Sequence, residues 1–299
     1  MKISIQQYLI VIIGLVAVSF ASILIKLCNA PSLMIAVYRL SIASLFYLSF
    51  SKFRTGTFLP SFSKSQWRVA VISGIFLTIH FATWISSLAY TSVASSVVLV
   101  QSAPVFVAVG SYIFIKEKPT LKMITGILIT LTGSIIISIH DFNLNQSSMI
   151  GNLLAIGGAL GAAGYMIAGR QLRRTVDTLR YVTVVYSTAA IMLIILAFFS
   201  GASPVGYSHE TYILLLAIAI IPQIIGHTVI NWSLKFFSAT TVSVIILAEP
   251  IGASILAWFL LQEKLTMMQA IGGMVIIAGV LIVLLSEKEL RRRNQNLSE

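Results

Sequence analysis

The sequence predicts an all-α integral membrane protein of ten transmembrane helices, arranged as two inverted-topology five-helix repeats. Three observations carry this. Of 299 residues, 58% are hydrophobic and 10% are charged, with a mean hydropathy of +0.96, whereas ordinary soluble domains carry about a quarter charged residues. The apolar residues fall into ten stretches, each close to the roughly 20 residues that a bilayer-crossing helix needs. The second half of the chain also repeats the first at an offset of 146 positions.

Composition sets further bounds. Lys and Arg total 20 against 9 acidic residues. In a membrane protein such an excess marks the cytoplasmic side, so it does not call for a nucleic-acid partner. The single cysteine, Cys28, excludes a disulfide framework and a cysteine-based metal or redox pair.

Span 1 is expected at 5–27. Its apolar run is longer than a signal-peptide core and no small-x-small cleavage site follows it. Lys26 argues against a lipoprotein site at Leu27-Cys28. Spans 2 (33–51) and 3 (67–88) are separated by Lys52, Arg54, Lys64 and Arg68. Spans 4 (92–115) and 5 (121–139) flank a turn with Lys116, Lys118 and Lys122. Arg170, Arg173, Arg174 and Arg180 divide span 6 (149–170) from span 7 (180–200). Lys235 divides span 8 (210–233) from span 9 (238–260). Span 10 (267–286) leads into a basic tail, 287–299, with Lys288, Arg291, Arg292 and Arg293.

With Lys2 and both termini in the cytoplasm, 17 of the 20 basic residues fall on that side. Of the rest, Lys264 lies in an outer loop, and Lys26 and Arg39 lie near the outer ends of spans 1 and 2. The outer connections at 29–32, 140–148 and 201–209 contain no Lys or Arg. This asymmetry supports the span count and the orientation together.

The repeat is clearest between 104–133 and 250–279. Pro104/Pro250, Glu117/Glu263, Lys118/Lys264, Thr120/Thr266, Gly126/Gly272 and Gly133/Gly279 coincide, as do Ser92/Ser238 and Leu88/Leu234 upstream. Residues 1–140 and 149–286 form the two repeats. Five spans is an odd number, so the second copy must cross the membrane in the opposite sense. Inverted repeats of this kind are a feature of alternating-access carriers, whose substrate site lies near the midplane between the halves.

The segment Leu88–Pro104, with Ile115–Lys118 and Gly126/Gly133, resembles the drug/metabolite transporter superfamily in its EamA-type branch. So does its counterpart Leu234–Pro250, with Leu261–Lys264 and Gly272/Gly279. The resemblance covers nearly the whole chain. It implies a plasma-membrane carrier of small metabolites, amino acids or drugs, with export as the expected direction. It also implies a central cavity between the halves and a peripheral, supporting role for spans 5 and 10. A small-molecule substrate and the lipid bilayer are the expected partners, for a monomer or a homodimer, with no cofactor, metal or nucleic acid.

Ionisable groups inside the membrane are costly and are functional candidates by default. Glu249 lies mid-span beside Pro250, and its repeat partner is the apolar Ala103. It is a candidate proton carrier or, alternatively, a hydrogen-bonded strut. His80 and Trp84 share a face of span 3 with Ser87. Gln223, His227 and Asn231 form a polar stripe on span 8. Two such stripes on corresponding helices are expected to line one shared cavity, and Gln101 with Ser102 to face it from span 4. Tyr38 and Arg39 lie below the outer surface in span 2. Arg39 either binds a substrate carboxylate through its fork or, on the preferred reading, snorkels to headgroups or pairs with another span.

Pro104, Pro222 and Pro250 each remove a backbone donor in mid-span and are candidate hinges. Gly157, Gly161, Gly164 and Ala168 on span 6, with the Gly pairs on spans 5 and 10, read as close-packing surfaces. The Glu117-Lys118 and Glu263-Lys264 pairs are expected to fix turns. No GxSxG, HExxH or GxxxxGK[ST] occurs. An intramembrane enzyme, a channel and an uptake carrier of the same fold are the alternatives to an exporter; an ATP-driven pump is excluded for this chain.

Overall fold

The structure is a computed structural model that describes residues 4–138, 149–262 and 265–296. Among these residues, ten helices are long and apolar enough to cross a membrane, and the chain is a multi-pass membrane protein. Their order is span 1 Ile5–Leu27, span 2 Ser32–Thr55, span 3 Lys64–Ser87, span 4 Ser95–Ile115 and span 5 Leu121–Ser138. Span 6 is Met149–Arg173, span 7 Thr178–Ser200, span 8 His209–Ser233, span 9 Ala239–Leu260 and span 10 Met267–Arg293.

Helix starts follow from local sequence. Ser4 and Ser63 make capping boxes with Gln7 and Gln66, and Asp177 accepts from the Arg180 N–H. Each satisfies a donor that the first helical turn would otherwise leave bare. Span 10 does not stop at 286. Its helix runs Met267–Asn296 without a break, so the expected tail begins as a continuation of the last span.

Spans 4 and 9 are each interrupted, and at matching places. Span 4 consists of Val93–Val100 and Ala103–Ile115; span 9 consists of Ala239–Ile246 and Glu249–Leu261. All four pairs of bounds differ by 146. Other devices recur at that offset. Ser92 and Ser238 cap the first halves, accepting from Ser95 and Thr241. Lys116 and Gln262 end the second halves in the left-handed region, at φ 58° and 55°, with N–H groups donating to Ser111 and Ala257. Thr120 and Thr266 receive the Met123 and Gln269 amides.

The prolines act differently from the expected mid-span kinks. Pro104 and Pro250 occupy the first turn of the second half-helix, where a missing N–H costs little. The interruptions precede them, at Gln101-Ser102 and Leu247-Ala248. Pro222 sits inside a π-helical stretch, Ala219–His227, in the middle of span 8. Wide turns of this kind let a helix absorb an insertion or a missing donor.

Glycines set the closest helix approaches. A Cβ on Gly126 would stand 2.9 Å from the Gly279 carbonyl oxygen, and one on Gly133 would stand 2.7 Å from that of Gly272. Gly126 meeting Gly279 while Gly133 meets Gly272 means that spans 5 and 10 run antiparallel. Thr120 on Ser286 at 2.5 Å and Lys122 on Glu289 extend this pair to the basic end. Span 6 packs on span 3 through Gly158, Gly161 and Gly164. Gly157 is looser than expected: its Cβ would meet Thr83 at an ordinary 3.5 Å.

The basic end is tied together by charge. Glu117 pairs with Arg170 at 2.7 Å and Arg174 at 2.5 Å rather than with Lys118, and Arg170 also donates to the Leu234 carbonyl at 2.7 Å. Glu287 is buried and accepts from Ser238, Thr241 and Arg291. These bonds gather the 4–5, 6–7 and 8–9 connections and the end of span 10. Glu263 and Lys264 lie outside the described residues.

Candidate functional site

A cavity lies at the middle of the bundle, where both interrupted spans meet. Its volume is about 90 Å³. Span 2 contributes Arg39, span 3 His80 and Trp84, span 4 Gln101 and Pro104, span 8 His227, and span 9 Glu249. Of the two polar stripes, His80 and Trp84 of span 3 and His227 of span 8 line this one cavity. The interruptions in spans 4 and 9 place Gln101 and Glu249 beside it, because a helix that stops and restarts exposes different side chains to the interior.

Phe81, wholly buried, packs behind the wall. Its ring centroid lies 4.4 Å from the Arg39 guanidinium carbon, 4.9 Å from the His80 ring and 5.5 Å from the His227 ring. Phe81 and His227 are separated by the repeat offset of 146, so equivalent positions of the two halves touch here. His80 stacks on Trp84 with centroids 5.6 Å apart and planes 10° apart. Its Nδ1 lies 2.9 Å from the Gly158 carbonyl oxygen. A carbonyl only accepts, so Nδ1 carries the proton and Nε2 is left as the second polar atom of a cavity-lining ring.

Of the two forms of the preferred reading for Arg39, the structure shows the pairing with another span and not the snorkelling. Arg39 is 1% exposed, and its Nε donates to Gln223 Oε1 at 2.6 Å. Seven residues separate it from the start of span 2, and the guanidinium turns inward instead of toward headgroups. Among the described residues Nη1 and Nη2 have no hydrogen-bond partner. The same holds for Trp84 Nε1, Gln101 Oε1, Gln223 Nε2 and His227 Nδ1. Buried polar atoms are nearly always bonded, and five of these six belong to residues that line the cavity. Glu249 lines the same cavity as Arg39.

Three of the expected residues sit elsewhere. Gln223 is wholly buried behind the wall, holding Arg39. Asn231 lies deeper, accepting from Tyr165 Oη at 2.6 Å and donating to Tyr186 Oη at 3.0 Å. Tyr38 is at the end of the bundle opposite the basic end, donating to the Pro204 carbonyl and packed on Tyr207 and Tyr212. Of the prolines, Pro104 lines the cavity, and Pro222 is buried in the wide-turn stretch beside Gln223.

Sequence reasoning missed Tyr165 and Met166, which line the cavity from span 6. Tyr165 stands among the glycines of that helix, a signal that was visible but read only as packing. Arg173 was also missed. It is 1% exposed and donates to the Asn231 carbonyl at 3.1 Å, the Val176 carbonyl and Thr178 Oγ1. Its place in a run of four arginines made it look like a topological charge.

The model of the EamA-like transporter family matches the chain twice, over residues 6–139 and 149–285. The chain belongs to the EamA-like transporter family. Relatives agree with this. An uncharacterized transporter of Archaeoglobus fulgidus is 27% identical over 270 residues, spanning 88% of this chain and 91% of its own. The uncharacterized transporter YdfC of Bacillus subtilis is 24% identical over 284 residues, spanning 94% and 90%. The transporter YxxF of the same organism is 24% identical over 259 residues, spanning 86% and 82%. A solved crystal structure superposes on this EamA-family chain with a TM-score of 0.80 at 18% identity, covering 95% of this chain and 98% of that one. That likeness concerns the fold alone.

Proposed function

We propose that this family member is a secondary transporter that exports a small metabolite, amino acid or drug across the plasma membrane by alternating access, with both termini in the cytoplasm. The observation that carries the reading is the central cavity, built from both halves at two matched interruptions and lined by unpartnered polar atoms. The recurrence of caps and half-helices at one offset, with antiparallel spans 5 and 10, supports two repeats of opposite orientation. Interrupted helices in corresponding places favour rocking of one half against the other around a fixed site. The Gln101-Ser102 and Leu247-Ala248 junctions, each followed by a proline, are then the hinges. Glu249 is the proton carrier, and no covalent chemistry is involved. The direction of export rests on the family resemblance.

Counterflow tests the carrier reading. A thermal-shift screen of the purified protein against amino acids and common metabolites selects a cargo. Liposomes preloaded with that cargo should then take up the labelled form faster than empty ones. Equal rates would favour a channel or an enzyme. A sidedness assay on the same liposomes separates export from uptake.

The histidines have their own expected result. His80→Ala and His227→Ala should each weaken cargo binding by about tenfold, the loss of one hydrogen bond in a buried site. Equilibrium binding on each purified variant measures this. Unchanged affinity in both would remove these residues from the site.

A further inference from the structure

Resting on the carrier reading, we propose that the cargo carries a single carboxylate and an apolar or aromatic body, and that Arg39 is the residue that binds the carboxylate. Gln223 is the positioning residue that holds the guanidinium.

Arg39 is a buried charge on the cavity wall with most of its donors unused. Phe81 covers one face, and Gln223 takes the Nε hydrogen at 2.6 Å. The two Nη nitrogens have no hydrogen-bond partner among the described residues. A guanidinium presents its donors in a rigid planar fork that matches the two oxygens of a carboxylate. A neutral carbonyl would engage one nitrogen and leave the other donors of the fork unpaired, which is costly in a buried place.

The rest of the wall defines the other end of the cargo. Glu249 is an acidic side chain on the same cavity, which disfavours a second negative group on the cargo and so a phosphate or dicarboxylate. The stacked His80–Trp84 pair provides a flat aromatic surface on the cavity. Trp84 Nε1, Gln101 Oε1 and His227 Nδ1, without hydrogen-bond partners among the described residues, are further hydrogen-bonding positions, with His80 Nε2. Arg39 and the His80–Trp84 pair together accommodate a compact monocarboxylate with a planar or apolar remainder.

The experiment is equilibrium binding of matched probes to the full-length protein in detergent: benzoate against benzamide, phenylacetate against phenylacetamide, and phenylalanine against phenylalaninamide. At least one carboxylate should bind about tenfold or more tighter than its amide. Arg39→Lys keeps the charge but not the fork and should lose about tenfold in affinity for that carboxylate. Gln223→Leu should lose affinity while Arg39 remains. Arg39→Gln should abolish the preference, and if it fails to fold, Arg39→Lys decides.

The proposal is overturned if amides bind as well as carboxylates, if no pair binds, or if Arg39→Lys leaves affinity unchanged. Counterflow on the same preparations separates this from the carrier reading. Exchange of compounds without a carboxylate that persists in Arg39→Gln keeps the carrier and overturns the carboxylate site. Carboxylate binding lost in Arg39→Lys, without any counterflow, keeps the site and overturns the carrier.

Discussion

Glu249→Gln is expected to abolish pH-driven accumulation of cargo in reconstituted liposomes while leaving counterflow in place. With one proton exchanged per cargo, a gradient of one pH unit supports about a tenfold cargo gradient, since both correspond to roughly 1.4 kcal/mol. A carboxamide has nearly the same shape as the carboxyl but takes up no proton near neutral pH. Accumulation should therefore fall from about tenfold to none, whereas exchange of labelled for unlabelled cargo needs no net proton movement. Glu249→Asp should keep part of the accumulation because it keeps the titrating group. Uptake under an imposed pH gradient measures all three proteins, and undiminished accumulation in Glu249→Gln would assign coupling elsewhere. Geometry motivates the choice, because Glu249 opens the second half of span 9 and lines the cavity together with Arg39.

Gly161→Ala should destabilise the protein by about 1–3 kcal/mol, as overpacking of a close helix contact does, and should weaken cargo binding with it. A Cβ there would lie 2.5 Å from the His80 amide nitrogen and 2.9 Å from the Phe76 carbonyl oxygen. Those are backbone atoms of span 3, so the whole helix must shift, carrying His80 and Trp84 away from their positions on the cavity. Gly157→Ala is the matched control. It lies one turn away on the same helix, and its Cβ would meet Thr83 Oγ1 at 3.5 Å. It should be neutral or stabilising by up to about 1 kcal/mol, because alanine favours the helix over glycine. Thermal unfolding in detergent, with binding measured alongside, separates the two. Equal effects at both positions would contradict the packing seen here.

Much of the cavity lining is legible in the sequence. Glu249, His80 and His227 stand out because charge and imidazole are rare in apolar helices, and all three line one cavity. The stripe Gln223–His227–Asn231 lies in the bundle interior, with Gln223 and Asn231 wholly buried. What the spacing could not say is that only His227 reaches the cavity, while Gln223 holds Arg39 and Asn231 joins Tyr165 to Tyr186. Helical periodicity reports the direction of a side chain around its axis, not its depth or its partner on another helix.

Arg39 and Arg173 make the same point for charge. Counted along the chain, the first looked like an outer anchor and the second like one more cytoplasmic arginine. Both are 1% exposed. A long side chain can reach the headgroups or the interior from the same backbone position, and neighbouring helices choose between them.

By itself, the sequence determined the membrane as solvent, the ten spans, the repeat at an offset of 146 and the short list of polar residues inside. Each follows from local content: apolar length, turn residues, and the rarity of charge in hydrocarbon. Only the tertiary structure decided which of those residues meet, where spans 4 and 9 break, and that Arg39 turns inward with two nitrogens unbonded. The reason is physical. Contacts between helices far apart in the chain depend on how small residues such as Gly161 let backbones approach, and that fit belongs to the packed bundle rather than to any one segment.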